Sequence, residues 1–166
     1  MECEDNSVII AQFALNGLPS SILSVSGIGN FPAFSGQKYG RNNVTMASRK
    51  KIGPVPPGRY FILGRESGGR LGAIRNFYLD NIYGTDRDTW FALYKEDLQI
   101  DDTVYIEGVK RGQFRLHPIG PAGLSEGCIT LCHQSDFDYL RQALLHTTMM
   151  QVPCSSFKAY GMVTVT

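Results

Sequence analysis

No run in this 166-residue chain approaches the roughly 18 to 20 consecutive apolar residues that a membrane-spanning helix needs, so no membrane span is expected. Charge of one sign is also missing. Sixteen Lys and Arg stand against 15 Asp and Glu, for a formal charge of +1, which leaves no electrostatic footprint for nucleic acid or an anionic lipid surface. Cysteine is sparse: Cys3, Cys128, Cys132 and Cys154 form neither the dense framework of a small secreted domain nor a paired C-x-x-C zinc knuckle. Their number leaves the redox compartment open, and Cys132 would pair with Cys154 only in an oxidising space. The opening M-E-C-E-D-N-S-V-I-I is acidic where a secretory signal is basic, and no apolar core follows it. Synthesis in the cytoplasm without a signal peptide is therefore expected. Internal repeats, low-complexity tracts and interdomain linkers are absent.

What is present points to one domain spanning 1–166. Eighteen glycines and eight prolines in a chain that is 43% hydrophobic favour short strands joined by many turns, and so a mainly β, β-rich α+β fold. Val8 to Leu15 and Ser21 to Val25 are apolar runs flanking N-G-L-P-S, which predicts an N-terminal hairpin at about 8–26. The next segment, G-I-G-N-F-P-A-F-S-G-Q-K-Y-G-R-N-N, has neither helical nor strand period and is predicted as a loop held by Phe31, Phe34 and Tyr39. Its G-x-G lacks the third glycine and following helix of a dinucleotide site.

After a small basic cluster at 48–51, I-G-P-V-P-P-G-R-Y stiffens a turn into a strand at Arg59 to Leu63. Further strands are predicted at Ile74 to Leu79 and Trp90 to Tyr94, with Trp90 filling core. A helical turn at Lys95 to Asp102 and a strand at Thr103 to Glu107 follow. Gly108 to Gly112 then reads as a tight basic turn, completing a hairpin with the strand Gln113 to His117. Ser135-Asp136 signals the N-cap of a helix running to about Thr147, with Phe137, Leu140, Leu144 and Leu145 on its apolar face. A last strand spans Lys158 to Thr166.

The chemistry concentrates in F-R-L-H-P-I-G-P-A-G-L-S-E-G-C-I-T-L, residues 114–131. A thiol of ordinary pKa, roughly 8.5, needs a base or a cation to become a nucleophile at neutral pH, and His117 stands across a Gly- and Pro-rich loop from Cys128. Gly120, Gly123 and Gly127 let a peptide backbone approach, and Gly127 frees the amides around Cys128 to face a developing oxyanion. Ser125 and Glu126 are loop supports, with Ser125 also able to bond substrate. Zinc bound by Cys128, Cys132, His133 and His117 would crowd three ligands onto one corner, so no metal and no cofactor is expected. His133 and His146 read as surface or helix-capping residues.

H-P-I-G-P-A-G-L-S-E-G-C-I-T-L, preceded by I-G-P-V-P-P-G-R-Y and F-P-A-F-S-G, resembles the L,D-transpeptidase catalytic domain of the YkuD type. More narrowly, it is similar to the antibacterial type VI secretion effectors that carry an L,D-transpeptidase-like domain. The resemblance covers about Gly27 to Leu145. It implies a β-sandwich with one main helix after the catalytic cysteine, attack by Cys128, and activation by His117. The implied substrate is the peptidoglycan stem tetrapeptide, cut between meso-diaminopimelate and D-alanine, by hydrolysis or by exchange with another amine. A cognate immunity protein and delivery by the type VI apparatus into a target periplasm are implied as well. Glu126 replaces a histidine common in the wider family and Thr130 replaces the usual arginine. Arg115 or Arg111 would then meet the substrate carboxylates, with Gly120 and Tyr39 lining the peptide. Two other readings use the same residues: a papain-like cell-wall peptidase or amidase, which usually has cysteine before histidine, and a non-catalytic wall-binding module with a structural Cys128.

Overall fold

The computed structural model describes residues 8–64 and 89–166. Eleven strands are found among them: β1 (Ile9–Phe13), β2 (Ser21–Val25), β3 (Gly29–Phe34), β4 (Gly58–Gly64), β5 (Phe91–Lys95), β6 (Thr103–Ile106), β7 (Val109–Gly112), β8 (Arg115–Pro118), β9 (Ile129–Leu131), β10 (Met150–Gln151) and β11 (Lys158–Val165). One helix, α1 (Gln134–His146), follows β9.

Nine strands form a single sheet in the order β1-β2-β3-β9-β8-β5-β4-β11-β10, and β11 also pairs with β1, so the sheet closes on itself. Closure removes the exposed edges that an open sheet of this width would present. The fold is mainly β with its main helix after Cys128, as expected, and the two facing layers of the expected sandwich are opposite walls of one closed sheet. Strict alternation in β1 and β2 buries Ile9, Ala11, Phe13, Leu23 and Val25 inside the wall. By contrast, β4 and β5 are buried on both faces, with Phe61, Leu63, Ala92 and Tyr94 in a second apolar cluster outside the wall. Phe137, Leu140 and Leu144 of α1 close the interior. The remaining void there is about 10 Å³ and lined wholly by aliphatic side chains, a space with no polar partner to retain a water.

Several expectations are corrected. Gly29–Phe34, the first part of the segment expected as a loop, is strand β3 and turns the hairpin into a three-stranded meander, while residues 35–43 are loop with a 3-10 turn at Lys38–Gly40. Pro32 is tolerated there because the ladder uses its carbonyl, which accepts from the Cys132 amide at 2.9 Å. No helical turn forms at 95–102; the Asp97 and Asp101 carboxylates instead accept from the Gln99 and Thr103 amides. The hairpin partner of β6 is β7, turning through Glu107 and Gly108, both at positive φ. Strand β8 is thereby released to pair with β5 and β9. Helix α1 starts after His133, two residues before the expected cap, and Leu145 is exposed. The predicted strand at Ile74 to Leu79 lies outside the described residues.

Candidate active site

Strands β8 and β9 run parallel, joined by residues 119–128, with His117 opposite Thr130. On its other side β8 is antiparallel to β5; continuing the Phe91–Leu116 register by one step puts Trp90 opposite His117. His117 therefore stands between two cross-strand neighbours, Trp90 and Thr130. Leu116 points into the core, so Arg115 and His117 project from the outer face of the wall. The same alternation in β9 puts Cys128, two residues before Thr130, on the face of His117. Two residues of strand are roughly 6 to 7 Å.

Each edge of the imidazole is engaged. Nδ1 lies 2.7 Å from the Pro118 carbonyl oxygen, an acceptor only, so Nδ1 carries the proton and donates. Nε2 lies 3.3 Å from Thr130 Oγ1. The Trp90 indole stacks on the ring at a centroid separation of 4.2 Å and 18° from parallel. Burial lowers the pKa of His117 to about 4; the Pro118 bond opposes this and the Arg115 charge adds to it. His117 is a neutral imidazole at pH 7, with its Nε2 lone pair toward Thr130 Oγ1. The Cys128 thiol is in no disulfide and is also buried, with Sγ 3.9 Å from the Gln113 carbonyl oxygen.

The loop carrying Cys128 is stitched to two others. Ser125 Oγ donates to the Cys128 carbonyl at 2.8 Å and accepts from the Gly36 amide at 3.3 Å. Arg41 donates to the Gly123 carbonyl at 3.3 Å while lying over the Phe34 ring. Buried Arg111 donates to the carbonyls of Ala47, Gly53, Pro54 and Glu126, fastening the proline-rich turn to the residue before Gly127. Gly127 has φ of +117°, and a Cβ there would stand 2.4 Å from Arg111 Nη2. The half-buried Glu126 carboxyl is raised by burial, against the opposing charges of Lys51 and Arg111.

The structure thus brings His117, Ser125, Glu126, Gly127 and Cys128 to one region, and engages both arginines within the protein. Arg115 makes a two-pronged ion pair with Asp102 at 2.8 and 2.7 Å and also donates to the Phe114 carbonyl. Its guanidinium, like that of Arg111, is bonded within the protein. Tyr39 is 64% exposed on the loop that abuts residues 123–125, and Gly120 is partly exposed. Cys132 and Cys154 are free thiols in this structure, not a disulfide. Among the described residues no group of three His, Cys, Asp or Glu stands together as a metal cradle.

Sequence reasoning missed the contacts of His117 with Trp90 and Thr130, and the Asp102 partner of Arg115. Each is a cross-strand or long-range relation, of which the local pattern at Trp90 to Tyr94 holds no sign. Asn42 was also missed. Fully buried at positive φ, it accepts from the Ser35 amide and donates to the Leu18 carbonyl, fixing the loop against which Ser125 rests.

The family model of the Tlde1 domain matches residues 29–155. No curated protein and no solved structure matches the chain.

Proposed function

The chain belongs to the Tlde1 domain family of type VI secretion effectors that act on peptidoglycan, and from that premise we propose that it is a cysteine-dependent L,D-carboxypeptidase and transpeptidase. Its substrate is the stem tetrapeptide, attacked at the carbonyl of meso-diaminopimelate that is bonded to the terminal D-alanine. The observation that carries this reading is the neutral imidazole of His117, on the strand beside Cys128, with Nδ1–H fixed on a backbone carbonyl and Nε2 left as the base.

In the first half-reaction Nε2 takes the Cys128 proton as Sγ attacks the carbonyl carbon. The amides of the Ser125 to Cys128 loop, rigidified by Ser125 and Arg111, cradle the oxyanion. Collapse of the tetrahedral species breaks the C–N bond, and the imidazolium returns its proton to the departing D-alanine amine. A thioester on Cys128 remains. Water then gives the shortened stem, whereas an amine gives an exchanged or cross-linked stem, with Nε2 accepting the nucleophile's proton in either case. The Pro118 carbonyl takes the orienting role that a carboxylate has in other triads.

The effector class supports delivery by the type VI apparatus into the periplasm of a target cell, where this substrate lies, and an immunity protein that protects the producer. Among the described residues no helix is long and apolar enough to cross a membrane.

The test is mass spectrometry of purified tetrapeptide muropeptides after incubation with the protein, with and without a non-native D-amino acid. Loss of D-alanine or its replacement, abolished by Cys128→Ala, is the expected result. Cleavage elsewhere in the stem would transfer support to a papain-like peptidase or amidase, and wall binding without cleavage to a non-catalytic module.

A further inference from the structure

Thr130 is fully buried, yet its side chain is polar and its hydroxyl is directed at one atom, Nε2 of His117, at 3.3 Å. The strand register brings the two side chains together: His117 and Thr130 are directly opposed on parallel neighbours. An apolar β-branched residue would fill the same space and have the same strand propensity. What the hydroxyl adds is bonding capacity of both kinds, one proton to give and lone pairs to accept with.

That capacity matches the two states of the ring. With Nδ1–H bonded to the Pro118 carbonyl, neutral Nε2 is an acceptor and Thr130 donates to it in the resting state; as Cys128 gives up its proton the Thr130 O–H turns away and frees the lone pair. Once Nε2 has gained a proton it is a donor, and by rotating its O–H, Thr130 accepts from it without moving a heavy atom. An imidazolium enclosed at this depth has little water to solvate it, so an oxygen within reach offsets part of its cost. Trp90 fixes the plane of the ring and Pro118 one edge, but neither serves Nε2.

We infer that Thr130 is a positioning residue that holds Nε2 of His117 in both protonation states, and thereby sets the reactivity of the Cys128 thiol. The inference rests on the reading that His117 activates Cys128, but not on the identity of the substrate.

The experiment measures the rate at which a small alkylating reagent, iodoacetamide, modifies Cys128 at pH 7, followed by peptide mass spectrometry so that Cys132 and Cys154 are scored separately. Thr130→Val is expected to slow alkylation of Cys128 about tenfold, Thr130→Ser to restore it to within about twofold of the parent, and the ¹⁵N resonance of His117 Nε2 to shift in Thr130→Val alone. Thr130→Ala, which leaves space instead of a second methyl, serves if the valine variant does not fold. An unchanged or faster rate in folded Thr130→Val or Thr130→Ala, or failure of Thr130→Ser to restore the rate, overturns the role. Muropeptide turnover is recorded in parallel. A rate that falls in Thr130→Val while even the parent leaves tetrapeptides intact sustains the role of Thr130 and refutes the substrate reading. If His117→Ala alkylates at the parent rate, the inference fails together with the activation of Cys128 by His117.

Discussion

The indole of Trp90 lies face to face on the imidazole of His117, 4.2 Å between centroids, in a cross-strand pair between the start of β5 and the end of β8. The stack excludes water from one face of the ring and limits its rotation. Trp90→Ala is expected to cost roughly 3 to 5 kcal/mol of stability, as for other buried large aromatics, and to slow Cys128 alkylation in the molecules that remain folded. Trp90→Phe keeps an aromatic face and should lose much less of both. Denaturant unfolding and thiol kinetics on the two variants separate packing from positioning.

The depressed pKa of His117, about 4, has consequences for stability and for rate. Between pH 6.5 and 4 the unfolded chain binds a proton at this residue and the folded chain does not, so the folded state loses stability as pH falls through that window. The loss approaches about 3 kcal/mol near the lower end. Comparing denaturant unfolding of the parent and His117→Gln from pH 7 to 4 isolates it: the parent should fall more steeply by about that amount. For activity the base is already neutral at pH 6, so the acid limb of kcat/KM is expected near pH 4, not near 6.5. An acid limb at 6.5 would show that His117 is hydrated as an ordinary imidazole.

Most strands were legible from local pattern because one face of each is buried and the other is not, or because both are. Apolar runs on either side of the N-G-L-P-S turn located β1 and β2, and the proline-stiffened entry located β4. Strand β3 was hidden by Gly29 and Pro32, residues that argue against a strand unless its neighbours use only the carbonyl, which is a tertiary fact. The same limit applied at the site. Cys128 and His117 stand out by residue type and loop context, whereas the partners of Arg111 and Arg115 depend on residues 13 to 64 positions away. A cation near a nucleophile reads as a substrate contact until its acceptors are known.

The Asp102 and Arg115 pair has an asymmetric cost. Arg115 is 6% exposed and Asp102 21%, so removing the carboxylate strands a buried guanidinium. Asp102→Ala is expected to destabilise by roughly 3 kcal/mol, the lower end for a broken buried pair because Asp102 keeps some contact with water. Replacing both, as Asp102→Ala with Arg115→Met, should recover a large part of that loss in the same unfolding assay, since no charge is left without its partner. If Arg115 instead contributed to substrate binding, the double variant would recover stability and still show a raised KM on tetrapeptide.

Gly127 joins the structural and chemical roles of the loop most tightly. Its φ of +117° is costly for any residue with a Cβ, and the added atom would also meet Arg111 Nη2 at 2.4 Å and a Phe114 ring carbon at 2.8 Å. The Arg111 guanidinium cannot withdraw without abandoning the carbonyls of Ala47, Gly53, Pro54 and Glu126, because one group holds all four. Gly127→Ala is therefore expected to cost on the order of 2 to 4 kcal/mol from backbone strain and overpacking together. It should also displace the amide of Cys128, lowering kcat on muropeptides at least a hundredfold in the folded fraction, the scale of losing one oxyanion donor. Combining it with Arg111→Ala distinguishes the two causes. The double variant relieves the Arg111 clash but not the Phe114 contact or the φ strain, so its loss of stability should fall short of additive, whereas kcat stays low. Full additivity in unfolding experiments would mean that Gly127 and Arg111 do not share this space.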